Sequence, residues 1–179
     1  MAGVGPDKTA VYRSVTKRLL ELGHRRISLL ARAERRVPTP GAVEQAFLDE
    51  LGAHGIDPGS YHLPDWEETG DGLVTRLEAL FRATPPTALI VDEPPFFFAT
   101  MQFLMSRGLR VPHDVSVVCM DSDPYFTWLR PSVSHIAWDR RLVVRRIVRW
   151  AGNVASGKED TTQTMTKAVF IEGGTVGPV

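Results

Sequence analysis

The chain has 179 residues, a length that suits one α/β domain with a full core and is short for two ordinary domains. Its 21 Lys and Arg residues balance 21 Asp and Glu residues, so no overall charge attracts nucleic acid or an anionic membrane. The sequence has neither the apolar core of a secretion signal near its start nor an apolar run long enough to span a bilayer. These features predict a cytoplasmic protein without a membrane partner, and they argue against a DNA-binding module in this segment alone.

Amphipathic helices and short apolar strands alternate along the chain. Apolar residues spaced by about three to four positions predict the helices, and Gly23, Gly108 and Pro94 mark helix ends. Short apolar runs predict buried strands, whereas Pro64 restricts its segment to an edge strand. In chain order, the prediction is a helix at 9–23, a strand at 27–31, a loop at 32–41, a helix at 43–51, an edge strand at 61–64, a helix at 73–81, a strand at 87–91, a helix at 94–107, strands at 115–120 and 132–137, a helix at 139–155 and a strand at 167–171.

This alternation, with strands that are apolar on both sides, is typical of an α/β fold with a mainly parallel sheet covered by helices on both faces. In such sheets, ligands bind beyond the carboxyl ends of the strands. Here those ends carry Arg32, then Asp92 and Glu93, then Asp121 and Asp123. The fold therefore predicts a ligand site among charged residues at one edge of the sheet.

Three segments resemble the effector domain of LacI/GalR-type bacterial transcription regulators. They are residues 20–27 (LELGHRRI), 86–93 (PTALIVDE) and 108–118 (GLRVPHDVSVV), the last followed by Asp121 where the family has an Asp. The resemblance implies a periplasmic-binding-protein-like fold with neither enzymatic activity nor a cofactor. It places residues 27–131 and 164–172 in the C-terminal lobe and associates the helices at 9–23 and 139–155 with an N-terminal lobe that is largely absent from this chain.

The resemblance also implies partners. Effectors in this family are mostly sugars or other small polar metabolites, the regulators are homodimers, and operator DNA is bound through a headpiece that this chain lacks. The helix at 94–107 corresponds to a helix at the family's dimer interface. Because it is apolar on nearly all sides, we expect it to contact a second copy as well as its own core. The predicted interface residues are Phe96, Phe97, Phe98, Met101 and Met105.

The family's ligand contacts map onto four residues. Asp121 matches a ligand-contacting Asp, and a carboxylate suits two neighbouring hydroxyl groups. Asp92 replaces a family Asn, which favours a donor-rich ligand such as a polyol or amino-sugar; the alternative is a cap for the next helix. Trp138 and Asp139 fall where family members place residues near the ligand, although Trp138 would equally suit the core and Asp139 is also a helix N-cap candidate.

The family's ligand-clamping Arg is replaced here by Val43. Arg32, Arg35 or Arg36 from the preceding loop could take over its role. Trp66 offers an aromatic face on which a sugar ring could stack, and its alternative role is that of a packed loop aromatic.

Two other functions are alternatives for this fold. A transport-type sugar-binding protein fits the fold, but the family-specific segments and the lack of a secretion signal argue against it. A metal-dependent enzyme would use Asp92, Glu93, Asp121 and Asp123, yet no phosphate-binding loop accompanies them. The histidines lack metal-ligand spacing, and Cys119 lies in an apolar run that predicts simple packing. The sequence therefore predicts no catalytic residue and no metal site.

Five arginines give the helix at 139–155 a basic face opposite its apolar stripe. This face is either a solvated surface or a surface for DNA or phosphate. The balanced net charge favours the solvated surface. The residues are Arg140, Arg141, Arg145, Arg146 and Arg149.

Overall fold

The computed structural model describes residues 3–36 and 39–179, except for the side chain of Arg35. Within these residues, the chain forms five α-helices and seven strands. The helices are α1 (Lys8–Glu21), α2 (Ala42–Ala53), α3 (Gly70–Ala83), α4 (Pro94–Ser106) and α5 (Arg140–Ala155). The strands are β1 (Gly3–Pro6), β2 (Ile27–Leu30), β3 (Ala88–Val91), β4 (Ser116–Cys119), β5 (Ser134–Trp138), β6 (Gln163–Thr166) and β7 (Ala168–Ile171). Short 3-10 helices occupy Ala33–Arg35 and Pro124–Trp128.

The main sheet has the strand order β2-β3-β4-β5-β7. Its first four strands are parallel, and β7 pairs antiparallel with β5. The predicted mainly parallel sheet is therefore confirmed. β2, β3 and β4 are buried at every position, which explains why they appear in the sequence as continuous apolar runs.

Each face of the main sheet carries its own layer of helices. Alternate residues of the strands point to opposite faces, so that Leu29 and Ile90 pack with α1 and α2 while Leu30 and Leu89 pack with α3 and α4. The core of the first layer includes Tyr12. Helix α1 is thus a core element of the main sheet, and the association predicted for residues 9–23 with another lobe stays a prediction.

A second, two-stranded sheet pairs β1 with β6 in parallel. Strand β1 has no counterpart among the elements predicted from sequence, and residues 164–172 are predicted to lie in one lobe. The structure divides them at Lys167, because β6 belongs to the small sheet and β7 to the main sheet. Helix α5 contacts β1 and β6, and none of its 16 residues, all of which the structure describes, is buried.

The predicted edge strand at residues 61–64 is wrong. This segment forms turns, although the amide of Leu29 still donates to the carbonyl of His62 at 2.8 Å. Residues 37 and 38 of the predicted loop at 32–41 lie outside the described residues. No helix in the described ranges is long and apolar enough to cross a membrane.

Candidate functional site

The carboxyl ends of β2, β3, β4 and β5 lie side by side at one edge of the main sheet, which we call the strand rim. It brings together the residues that follow each strand: Arg32, Asp92 and Glu93, Asp121 and Ser122, and the end of β5 at Trp138. The parallel pairing explains this arrangement, since all four strands end in the same direction. The rim separates into an inner cluster around Asp121 and a peripheral cluster around Arg32.

Asp121 is the centre of the inner cluster. Its Oδ1 accepts hydrogen bonds from the indole N–H of Trp138 at 3.2 Å and from the amide of Ser122 at 2.7 Å. Its Oδ2 lies 3.5 Å from Nζ of Lys8. The Asp121 side chain is 24% exposed, so this carboxylate is held in place but still open to solvent. The structure thus brings the predicted residues Asp121 and Trp138 into direct contact.

Lys8 was missed by the sequence analysis. Its Nζ donates to the carbonyl of Met120 at 3.0 Å, and its side chain is only 12% exposed. Lys8 begins α1 and lies 113 positions from Asp121. A lysine at a helix start has no local pattern that distinguishes it from a solvated one, and only the connection from the small sheet to the main sheet brings it to the strand rim.

Arg140 completes the inner cluster. Its guanidinium donates to the carbonyl of Ser122 at 2.7 Å and to the Ser122 hydroxyl at 2.9 Å. It also lies 5.7 Å from the centroid of the Trp138 ring, within the range of a cation–π contact. The inner cluster therefore combines a carboxylate, an ammonium, a guanidinium and an indole, a set able to exchange hydrogen bonds with a polar ligand and to offer it an aromatic surface.

Asp139 acts as the N-cap of α5. Its Oδ1 accepts the backbone N–H of Arg141 at 2.9 Å, and its carboxylate also pairs with the Arg141 guanidinium. The Arg141 side chain and amide hold the pKa of Asp139 below its ordinary value. The sequence-predicted capping role is confirmed. The predicted ligand contact of Asp139 stays a prediction, and its carboxylate is already occupied.

Asp92 requires a correction. It is fully buried; Oδ1 accepts the Tyr12 hydroxyl at 2.8 Å, and Oδ2 accepts the Arg32 backbone N–H at 3.3 Å. A buried carboxylate needs such donors because burial without them is costly. Asp92 is therefore closed to a ligand in this structure. It is not the N-cap of α4 either, because Glu93 occupies that position.

Arg32 lies in the peripheral cluster among three carboxylates. Its guanidinium is 2.7 Å from Glu68, 3.2 Å from Glu93 and 3.3 Å from Glu34. The hydrogen bond with Glu68 is the leading cause of the raised pKa of Arg32. This side chain ties the residues after β2 to two neighbouring loops, so using it as a replacement ligand clamp would require breaking these pairs.

Trp66 also has internal partners. Its indole N–H donates to the carbonyl of Ala31 at 3.0 Å, and its ring meets Phe96 edge to face with centroids 5.0 Å apart. This geometry is that of a packed loop aromatic. Two further arginines were predicted as possible ligand clamps. Arg36 pairs with Glu44 at 2.7 Å, and the side chain of Arg35 lies outside the described residues.

The acidic residues considered for an enzyme have structural partners. Asp123 accepts the amide of Tyr125 at 2.8 Å and caps the short helix at Pro124–Trp128. Among the described residues, no three His, Cys, Asp or Glu side chains are arranged to hold a metal ion. Cys119 is fully buried, and desolvation raises the pKa of its thiol to about 12, so the thiolate is disfavoured.

Comparison with known proteins identifies the domain. The model of a family described as periplasmic binding protein-like domain matches residues 16–176. The chain belongs to this family. Among curated proteins, the HTH-type transcriptional regulator CelR of Thermobifida fusca is 29% identical over 146 residues, which cover 80% of this chain and 42% of CelR. The chain therefore spans less than half the length of this relative.

Solved structures of regulators share the fold. A LacI family transcriptional regulator from Enterococcus faecium with bound ribose superposes with a TM-score of 0.81 at 18% identity, covering 98% of this chain and 66% of that one. A CelR–cellobiose complex superposes with a TM-score of 0.79 at 23% identity, covering 96% and 53%. With the family match, these findings confirm the predicted periplasmic-binding-protein-like fold and the resemblance to LacI-type effector domains.

Proposed function

We propose that this chain is the effector-binding part of a transcription regulator and that it binds a small polyhydroxylated ligand at Asp121. The observation that carries the proposal is the inner cluster, in which a partly exposed carboxylate lies at the strand rim between Lys8 and Trp138. Relatives by fold support the ligand class, since one is a cellobiose complex and another has bound ribose.

The chemistry of the inner cluster suits a sugar or polyol. Two of the donors to Asp121 meet at Oδ1, whereas Oδ2 faces Lys8 at the longer distance of 3.5 Å. A ligand hydroxyl can therefore donate to Oδ2, and Lys8 can donate to a second ligand oxygen. The half-buried Trp138 ring would contact the apolar face of the sugar.

The test is ligand-dependent thermal unfolding of Asp121→Asn with cellobiose, ribose and glucose. A ligand present at a hundredfold excess over its dissociation constant stabilises the folded state by about 2.7 kcal/mol. We expect at least one sugar to raise Tm in the parent chain and the Asn variant to lose this shift, because an amide cannot replace the charge and both acceptor oxygens.

Asp123→Asn is the matched control. It removes a neighbouring carboxylate while keeping a residue that is favoured as a helix cap. It should retain the ligand-induced shift. An equal shift in the Asp121 variant, or no shift with any of the three sugars, would contradict a sugar site at Asp121.

We further propose that the chain forms a homodimer through an apolar surface on α4 and the short helix after β4. Met105 is 74% exposed and Trp128 is 81% exposed. An apolar groove of about 320 Å³ between α4 and the residues that follow the short helix is lined by Phe98, Met101, Met105, Leu129 and Pro131, among others. Large adjoining apolar side chains of this kind rarely face water in a monomer, so a second copy is the occupant that we propose.

The predicted interface residues separate into two sets. Phe98, Met101 and Met105 line the groove. Phe97 also borders the groove, but it is fully buried and packs on Phe126 inside its own chain, so its contact with a second copy stays a prediction. Phe96 is half-buried against Trp66, at the strand rim. The proposed interface therefore uses the C-terminal part of α4 more than its start.

In a whole regulator, we propose that the ligand acts by stabilising one arrangement of lobes more than another. DNA binding would then belong to a separate headpiece, as the family resemblance implies. The exposed apolar residues of α5 support the prediction that this helix associates with a further lobe.

A further inference from the structure

The five arginines of α5 fall into two groups. Arg140 donates to Ser122, Arg141 pairs with Asp139, and Arg146 pairs with Asp160. The Arg146 pair is the most enclosed of these, with side chains 10% and 8% exposed. These three guanidinium groups are therefore committed to contacts within the chain.

Arg145 and Arg149 form the second group. They lie one helical turn apart, line the same groove and are exposed. Lys167, at the junction of β6 and β7, lines it from the opposite side. In the part of the chain that the structure describes, none of these three side chains forms an ion pair within 4 Å; Arg145 influences Asp139 electrostatically, but Arg141 already holds that carboxylate.

The groove between α5 and β6 is concave and has a volume of about 400 Å³. Besides Arg145, Arg149 and Lys167, its walls include Arg146, whose guanidinium is paired with Asp160, and the apolar side chains of Leu142 and Met165. Thr164 adds a hydroxyl group. Because the groove offers both cationic groups and apolar side chains, it suits a compact anionic molecule that also has an uncharged part.

The edge of β6 adds backbone donors. Within the described residues, β6 pairs only with β1. The carbonyl of Thr162, just before β6, accepts the amide of Gly3, and the carbonyl of Thr166 accepts the amide of Asp7, just after β1. Because alternate residues of a strand direct their peptide groups to opposite edges, the N–H groups of Met165 and Lys167 point away from β1. Both residues line the groove, so their amides add donors for an anion there.

We propose that this groove, separate from the inner cluster, binds a small phosphorylated ligand. Guanidinium groups form directed, charge-assisted hydrogen bonds with phosphate oxygens, and Lys167 adds a point charge. The groove is small and the chain has no net positive charge, which favours a compact phosphorylated molecule over nucleic acid. The site depends on neither Asp121 nor the sugar-binding proposal.

The test is titration of the full chain with inorganic phosphate, followed by backbone amide chemical shifts at constant ionic strength. Ionic strength is held fixed because screening weakens exposed ion pairs. We expect saturable shifts at Met165 and Lys167 that are absent when chloride replaces phosphate. The double variant Arg145→Gln, Arg149→Gln should weaken phosphate binding at least tenfold.

Arg141→Gln is the matched control, since it removes an arginine of the same helix that does not line the groove. It should bind phosphate like the parent chain, and all variants should show a Tm close to the parent value. The proposal is overturned if chloride gives the same shifts or if the double variant binds phosphate normally. It is also overturned if the shifts appear only with duplex DNA, which would make the groove a polyanion surface.

Discussion

His24 lies between the last residues of the chain and the start of β3, and it forms hydrogen bonds with both. Its Nε2 lies 2.9 Å from the carbonyl of Gly177 and therefore carries the proton, while Nδ1 lies 3.0 Å from the hydroxyl of Thr87 and accepts from it. The ring is 2% exposed. Desolvation lowers the pKa of His24, since burial disfavours the charged ring more than the Gly177 hydrogen bond favours it.

This histidine predicts a loss of stability in mild acid. The unfolded chain binds a proton at His24 near the ordinary pKa of 6.5, whereas the folded chain resists protonation to lower pH. Because the unfolded state then holds more protons, the free energy of unfolding falls as pH drops below about 6.5. We expect urea unfolding at pH 8 and pH 5.5 to show a smaller decrease for His24→Gln than for the parent chain.

The exposed His113 provides the control for that measurement. His113→Gln removes a histidine without disturbing residues 172–179, so its stability should follow the parent curve. His62, whose pKa is also lowered by burial, remains in both variants and leaves part of the acid sensitivity in place. If the free energy of unfolding fell equally in the parent chain and the His24 variant between pH 8 and pH 5.5, His24 would not be a source of the acid sensitivity.

Asp92 illustrates what local sequence cannot reveal about a single residue. Its position after a buried strand correctly predicts a place at the strand rim. Its availability depends on Tyr12, whose hydroxyl lies 2.8 Å away although the two residues are 80 positions apart in sequence. A tyrosine on the apolar stripe of a helix predicts burial, but the partner of its hydroxyl depends on how the helix crosses the sheet.

At the level of elements, α5 is joined to the segment before β6 by an enclosed ion pair between Arg146 and Asp160. Arg146 donates to both oxygens of Asp160 at 2.9 and 2.6 Å, and Asn153 donates to Oδ2 at 2.9 Å. The hydrogen bond from the Arg146 side chain is the largest cause of the lowered pKa of Asp160. These contacts join the middle and end of the helix to the segment that leads into β6.

Arg146→Met should therefore loosen α5 without unfolding the main sheet. The substitution keeps an apolar stem of similar length but leaves Asp160 without its main partner, a loss that costs more than removing an exposed pair. We expect faster amide hydrogen exchange throughout α5, with β2, β3 and β4 unchanged. Arg141→Met is the control, because the Arg141 side chain is 82% exposed and should change exchange little. Equal exchange in both variants would show that the Arg146 pair does not hold the helix.

Whether the other elements can be predicted from sequence depends on how clear their local pattern of apolar residues is. β2, β3 and β4 and all five helices were predictable, because burial leaves uninterrupted apolar runs or a helical spacing. β1 (GVGP) and β6 (QTMT) were not, since neither is apolar throughout and each is held mainly by pairing with the other across 160 positions of sequence. The turn at residues 61–64 was mistaken for a strand because its apolar and aromatic residues pack against the sheet without joining a ladder.

For the molecule as a whole, the proposed dimer can be tested by introducing a charged residue into its interface. Met105→Glu places a carboxylate in the apolar surface of α4, where burial against a second copy would strip it of water. We expect sedimentation equilibrium to show a dimer for the parent chain and at least a tenfold weaker association for the variant. Val74→Glu, at a 41% exposed position on α3, is the control and should associate normally. A monomeric parent chain, or equal association of both variants, would exclude this interface.

The alternation of elements, the mainly parallel sheet and the charged character of its carboxyl edge are predictable from the sequence, because they follow from local apolar spacing and from rules that hold for any parallel sheet. The three family-like segments added the identity of the domain. By contrast, the contact of Asp92 with the Tyr12 hydroxyl and the contact of Asp121 with Lys8 are visible only in the folded chain. The same is true of the burial of Phe97 and the exposure of Met105. Each of these outcomes depends on contacts between residues far apart in sequence. The periodicity within one segment carries no information about such contacts.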